Sequence, residues 1–382
     1  MGDSVDVGGN PLNICWVTVR KVNDLCSTTI LSLANGLTVA GYDLTLLNPD
    51  PPNKHHSCSW KHNQLHRSKI KGFQASSIAK SAKKWFENQP NLEFDLILID
   101  WQLGRILIPF FKKNGLPMIL MDRSPPADSS VMGKLQWRDW KMAWKKVFSG
   151  EVNRGCVVSS AHQKFVMKHY PIISKRIHVL PAGVDLQLFK PNPKNKMEGE
   201  YRLVYHGRLD KHRGIMALPM LVHKLRNKET EATLTLIGEG DALGDLEDLK
   251  EQYPWMKIYS QMEQQPLAEI LANQHIGLLP MPNSRVWSLA SPLKRSEYLA
   301  AGLLVLGTKH DGHILGNAEQ SWFHLVEQHD FHELGIEWIQ SLNQDLFVKG
   351  SLLSREYAEK YCPWDVAITE LMRAIQSVRN EE

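Results

Sequence analysis

The sequence predicts an α/β protein made of two tandem, doubly wound, Rossmann-like domains that face each other across an interdomain cleft. Short runs of apolar and β-branched residues alternate with helix-length segments through most of the chain, the pattern of parallel strands covered by helices. The alternation breaks once, at a polar stretch near residue 190 with two prolines, and then starts again. The 382 residues suffice for two domains of roughly 100 to 200 residues each. A content of 43% hydrophobic and 23% charged residues is that of a folded globular chain.

Taken in order, residues 13–19 read as the first strand. Residues 29–40 form an apolar helix closed by Gly41 in the C′ position, and residues 43–47 form the next strand. This β-α-β unit is followed by strand-like runs at 94–100, 117–121, 155–159 and 176–180. Pro181-Ala182-Gly183 then turns the chain, and Lys190-Pro-Asn-Pro-Lys-Asn-Lys-Met-Glu-Gly-Glu200 lacks any hydrophobic period, which marks a linker. A second series runs through 201–206, 232–237, 276–280 and 303–307. The expected domains are therefore 1–190 and 201–355, joined by 191–200, with a helix in 356–382 crossing back to the first domain. Ligands of such sheets bind at the carboxyl ends of strands, so the cleft is the expected active site.

The net charge of +4 hides a split: residues 1–200 hold 27 Lys and Arg against 16 Asp and Glu, and residues 201–382 hold 18 against 25. A basic first domain points to an anionic partner. Residues 54–84 carry eight Lys or Arg and no acidic residue. In residues 134–148, Trp137, Trp140, Trp144 and Val147 fall on one helical stripe, and Lys134, Arg138, Lys141 and Lys145 on an adjoining one. Two readings stay open: a helix docking in the plane of an anionic membrane, tryptophans down and lysines to the phosphates, or a surface helix burying its tryptophans in its own domain.

No run of about 18 apolar residues is present, and Met1-Gly-Asp-Ser-Val-Asp6 has neither a basic nor an apolar signal region, so neither a membrane span nor secretion is expected. Asp6 stands where a myristoylation signal takes Ser or Thr. Five scattered cysteines (Cys15, Cys26, Cys58, Cys156, Cys362) without Cys-x-x-Cys spacing fit reduced thiols and no zinc site. No base-stacking or helix-turn-helix module accompanies the basic half, so no nucleic-acid partner is expected.

Two places carry chemistry. After the strand ending at His206, Gly207-Arg208-Leu-Asp-Lys-His-Arg213-Gly214 puts two guanidiniums on one turn, and guanidinium forks match phosphate oxygens. In Ser291-Pro-Leu-Lys294-Arg-Ser-Glu297-Tyr-Leu-Ala-Ala-Gly302, Ser291 reads as an N-cap and Pro292 as the first helical residue. The helix start is an anion site, Lys294 adds charge, and Glu297 is within reach of a ribose hydroxyl. Gly238-Glu-Gly240 lacks the third glycine of a dinucleotide fingerprint.

Together these pieces resemble family 4 GT-B glycosyltransferases. The resemblance covers nearly the whole chain: Val157-Val-Ser-Ser160, then Pro181-Ala-Gly-Val-Asp185 with Phe189-Lys-Pro191; Tyr205-His-Gly-Arg-Leu-Asp210 with Arg213-Gly214; Leu236-Ile-Gly-Glu-Gly240; Ser291-Pro-Leu-Lys294 with Glu297-Tyr-Leu-Ala-Ala-Gly302; and Tyr361-Cys-Pro-Trp364. It implies a retaining enzyme that moves a sugar from a nucleoside-diphosphate sugar to a glycan or lipid acceptor on the first domain. Arg208 and Arg213 would hold the diphosphate and stabilise the leaving group, with Gly207, Lys294, Ser291 and the helix amides around it, Glu297 on the ribose, and no metal or cofactor. The chain departs from the family pattern at Leu289, where the first glutamate of an E-x7-E pair is common, and at Arg213, where Lys is commoner. Where the family often has His after the strand at 117–121 it has Asp122, either an acceptor-side catalytic residue or a carboxylate capping a turn. Val19-Arg-Lys-Val-Asn-Asp24 replaces a glycine-rich loop, with Arg20 and Asp24 as candidate donor contacts. Trp137, Trp140, Trp144, Lys141 and Lys145 are the candidate acceptor or membrane surface of a cytoplasmic, peripherally bound enzyme. The competing functions are a nucleotide-sugar epimerase and an inactive sugar-nucleotide-binding scaffold.

Overall fold

The computed structural model describes residues 11–23, 27–52, 59–126, 131–316 and 320–380. The chain forms two compact units, one running to Pro181 and resumed from Trp364, the other Ala182–Pro363.

The first unit is built on β1 (Asn13–Val17), β2 (Asp43–Asn48), β3 (Lys61–Gln64), β4 (Leu96–Asp100), β5 (Met118–Met121), β6 (Arg154–Val157) and β7 (Ile177–Val179). The order is β3-β2-β1-β4-β5-β6-β7, parallel throughout. Strand side chains alternate between faces, so Cys15 and Val17 enter one core while Ile14 and Trp16 enter the other. Burial of both faces explains why these strands read as continuous apolar runs. The helix Trp364–Arg379 belongs to this unit: Ala367, Leu371 and Ile375 join the core of Ile14 and Trp16, and Arg154 donates from Nε to the Ser377 hydroxyl at 2.8 Å.

The second unit repeats the plan with β8 (Tyr201–His206), β9 (Ala232–Ile237), β10 (Met256–Tyr259), β11 (Ile276–Leu279), β12 (Leu304–Thr308) and β13 (Phe323–Val326), ordered β10-β9-β8-β11-β12-β13. Winding reverses between β1 and β4 in the first unit and between β8 and β11 in the second. Sheets of this kind bind ligands outside the strand ends at that point.

Three strands had no counterpart in the sequence reading: β3, β10 and β13, each at a sheet edge. β3 reads Lys-His-Asn-Gln, without one apolar residue, because an edge strand is held by the ladder of a single neighbour. The expected linker is also different. Residues 191–200 lie along the second unit: Met197 is buried in its core and donates its N–H to Gln344 Oε1 at 2.7 Å, and Asn195 Nδ2 donates to the Gln274 carbonyl at 2.7 Å. Asparagine side chains supply hydrogen bonds that leave no hydrophobic period, so the division between units falls at Pro181. The helix Gln344–Tyr361 stays with the second unit, and only the helix from Trp364 joins the first. Among the described residues no helix is long and apolar enough to cross a membrane.

Candidate functional site

At the carboxyl ends of β8 and β9 two loops touch through glycine. Gly238 has φ +142°, and a Cβ there would lie 1.9 Å from the Gly207 carbonyl oxygen, so no other residue lets the loops approach this closely. Gly207 itself has φ +112° and passes under Lys294, whose Nζ lies 3.5 Å from where a Cβ would sit. The same ammonium is 5.1 Å from the centre of the buried Tyr205 ring.

Asp210 organises the arginines. Its Oδ1 accepts from Arg208 Nη2 at 2.9 Å, and its Oδ2 accepts from Arg208 Nε and Arg213 Nε, each at 3.3 Å. Burial raises the Asp210 carboxyl, but the hydrogen bonds and charge of Arg208, with the charge of Arg213, outweigh it and hold the group below the ordinary carboxylate value. The Arg213 guanidinium also lies 4.5 Å from the centre of the Trp287 ring, a cation–π arrangement, and Trp287 stacks on His212. Tyr205 donates its hydroxyl to the Arg208 carbonyl at 3.0 Å, and burial pushes its phenol up to about 12. The turn thus presents two fixed guanidiniums, with Arg208 half exposed at 52%.

The helix Leu293–Ala300 starts one residue later than expected. Pro292 is its N-cap, and Ser291 does not cap it: the Ser291 hydroxyl accepts the Ala182 N–H at 2.9 Å. Ser296 donates to the Ala182 carbonyl at 3.1 Å, so both backbone groups of Ala182 are tied to this segment. Glu297 is 5% exposed, with Oε2 3.1 Å from His206 Nε2, while the His206 N–H donates to the Tyr298 hydroxyl at 3.2 Å. Leu289, at the position of the absent glutamate, is buried. Arg295 runs inward and donates from Nη1 to the Gly312 carbonyl at 2.9 Å. That loop follows β12 and carries His310 and His313, their rings 3.8 Å apart. Burial holds His310 down at about 4 and His313 well below its ordinary value.

The structure therefore gathers Gly207, Arg208, Arg213, Ser291, Lys294 and Glu297 in the second unit, beyond the carboxyl end of β8. Sequence reasoning gave no role to Asp210 or Trp287. The signal for Asp210 was its spacing, two residues after one arginine and three before the other; Trp287 left none, since its contact with Arg213 is tertiary.

The first-unit assignments need correction. Asp122 is fully buried; its Oδ2 accepts from Trp140 Nε1 at 2.6 Å and Trp144 Nε1 at 2.8 Å and lies 3.1 Å from His162 Nε2. A carboxylate enclosed in this way holds a helix and is not exposed to an acceptor. Trp140 and Trp144 are 0% exposed, and Trp137 is half-buried, edge-on to Trp140 and Phe165. The tryptophan stripe of the helix Val131–Phe148 faces the core, and Lys134, Arg138, Lys141 and Lys145 face outward together with Leu135, Gln136 and Phe148. Arg20 lies beside Ser124. Asp24, Cys26, Cys58 and the start of the basic stretch, 54–58, lie outside the described residues.

Two doubly wound parallel-sheet units in one chain, the second carrying paired arginines beside a buried glutamate, have the architecture of GT-B glycosyltransferases. The Glycosyltransferase Family 4 model matches residues 26–188 and the Glycosyl transferases group 1 model matches residues 200–344. The chain belongs to the group 1 GT-B glycosyltransferases, nucleotide-sugar-dependent enzymes with a family 4 first half. Among solved structures it is similar to sucrose-phosphate synthase from Thermosynechococcus elongatus (TM-score 0.78, 14% identity, covering 97% of this chain and 100% of that one). It is similar to a glycosyltransferase from Rickettsia africae (0.73, 12%, 98% and 100%) and to Anabaena HepE in complex with UDP-glucose (0.69, 11%, 96% and 100%). No curated protein matches it in sequence.

Proposed function

We propose that the protein is a retaining glycosyltransferase whose second unit binds the diphosphate of a nucleoside-diphosphate sugar between Arg208, Arg213 and Lys294. The observation that carries this reading is the Arg208–Asp210–Arg213 array, two guanidiniums hydrogen-bonded to one carboxylate and set beside a helix start at the winding reversal. Cations fixed where charge develops on the departing diphosphate stabilise the transition state, and the assignment calls on no metal ion. Ser291, its oxygen already accepting, keeps its hydroxyl proton to donate to a phosphate oxygen. Glu297 takes the ribose. HepE of Anabaena, solved with UDP and with UDP-glucose, supports a donor of this kind.

The acceptor belongs to the basic first unit. Its association with a cytoplasmic membrane face, on this reading, is electrostatic and runs through Lys134, Arg138, Lys141 and Lys145, since the tryptophans are inside. Thermal-shift titration with nucleoside diphosphates and their sugar conjugates tests the donor: one nucleotide raises the melting temperature, and Arg208→Ala abolishes the rise. No shift with any nucleotide overturns the donor assignment. Co-sedimentation with anionic vesicles that persists after Lys141→Glu with Lys145→Glu overturns the membrane face.

A further inference from the structure

The carboxyl ends of β1, β4 and β5 carry a second polar cluster, at the winding reversal of the first sheet, that the reading above leaves unused. Asp100 ends β4 and is 3% exposed. Its Oδ2 accepts from Thr18 Oγ1 at 2.7 Å and from the Val19 N–H at 3.0 Å, while its buried Oδ1 has no partner among the described residues. Thr18 Oγ1 accepts the Arg20 N–H at 3.0 Å and so fixes the backbone that carries the Arg20 side chain. Arg20 Nη2 donates to the Ser124 hydroxyl at 3.3 Å, and the Ser124 carbonyl is held by Trp101 Nε1 at 3.0 Å. From the same turn Arg123 donates Nη1 to the Leu180 carbonyl at 3.2 Å.

Arg20, whose turn is tied through Thr18 to the enclosed Asp100 carboxylate, thus reaches Ser124, the residue next to Arg123. Neither arginine forms an ion pair among the described residues; the Arg20 side chain donates to a hydroxyl and that of Arg123 to a carbonyl. Burial lowers Arg123 to about 10, with the charge of Arg20 adding to the fall and Asp100, Cys156 and Asp122 opposing it. Two partly buried guanidiniums without a salt-bridge partner are stabilised when an anion completes them.

We infer that this cluster binds the acceptor through a phosphate group, with Arg20 and Arg123 on the phosphate oxygens, the Ser124 hydroxyl beside them, and Asp100 holding the Thr18–Arg20 turn from below. The acceptor class is a phosphorylated polyol or sugar, free or carried on a lipid. That the phosphate belongs to an acceptor rests on the glycosyltransferase reading; the site itself does not.

The test uses the full chain and glycerol 3-phosphate as probe, with glycerol as the uncharged control, in wild type, Arg208→Ala, Arg20→Gln and Arg123→Lys. Calorimetric titration is expected to show phosphate-dependent binding in wild type and in Arg208→Ala. A loss of affinity of at least tenfold is expected in Arg20→Gln and a smaller one in Arg123→Lys, each folded by circular dichroism. Equal binding in all four, no binding in wild type, or loss confined to Arg208→Ala would overturn the site. Vesicles of phosphatidylcholine with and without phosphatidic acid separate the sources: Arg20-dependent capture by phosphatidic acid marks a lipid phosphate, and soluble binding without capture marks a free one. If glycerol 3-phosphate binds and no nucleotide shifts the wild type, the donor reading fails while this site stands.

Discussion

The indole Nε1 of Trp140 donates to Oδ2 of Asp122 at 2.6 Å, and both residues are wholly buried. Trp144 donates to the same oxygen one helical turn away. Asp122→Ala leaves two buried N–H groups without acceptors, at ~1–3 kcal/mol each. Denaturant unfolding should show a loss of about 3 kcal/mol, with nucleotide affinity of the folded protein unchanged. A stable Asp122→Ala protein that had lost turnover alone would restore the catalytic role.

On the proposed donor site, Arg208 and Asp210 have different parts to play. Arg208→Ala removes a cation at the developing charge and should lower kcat on the order of 100-fold. Asp210→Ala keeps both cations and loosens their orientation, so steady-state kinetics should show a fall of roughly tenfold.

Arg213 is stacked as well as charged. Arg213→Lys keeps the charge but loses the planar contact with Trp287, 4.5 Å from the guanidinium. Trp287→Ala should reproduce most of the Arg213→Lys defect in donor KM, and the double variant should be little worse than either single one.

Gly238 makes the loop contact possible. Gly238→Ala drives a Cβ to 1.9 Å from the Gly207 carbonyl oxygen at a φ of +142°. The two loops must separate, and the calorimetric signature of nucleotide binding should vanish while the far-ultraviolet spectrum stays close to wild type.

Acid should weaken the second unit through its histidines. His310 and His275 are each held down at about 4 against an ordinary 6.5, both chiefly by burial. The folded state binds protons less readily than the unfolded chain, so this stability is complete above pH 6.5 and is lost as pH falls toward 4. His310→Phe, which fills the site without a titratable group, should flatten the decline in melting temperature across that interval.

The strands at the centre of each sheet were legible because both faces are buried, which forces unbroken apolar runs; β8 and β9 were read from end to end as residues 201–206 and 232–237. Edge strands such as β3 are specified by a neighbour's ladder and leave no such run. The arginines and Glu297 were legible because each sits in a local turn or helix pattern. Asp122 was misplaced because its partners lie 18 and 22 residues away.

The sequence alone determined the two-part α/β plan, the paired arginines and the amphipathic period of the tryptophan helix, because each is written in spacing along a short stretch. Tertiary structure decided which stripe of that helix is core, that Asp210 holds both guanidiniums, that Ser291 serves Ala182 and not its helix, and that Arg20 reaches Ser124 beside Arg123. Periodicity gives a helix two faces but no direction, and a hydrogen bond between distant residues exists only once the sheet has brought its strand ends together.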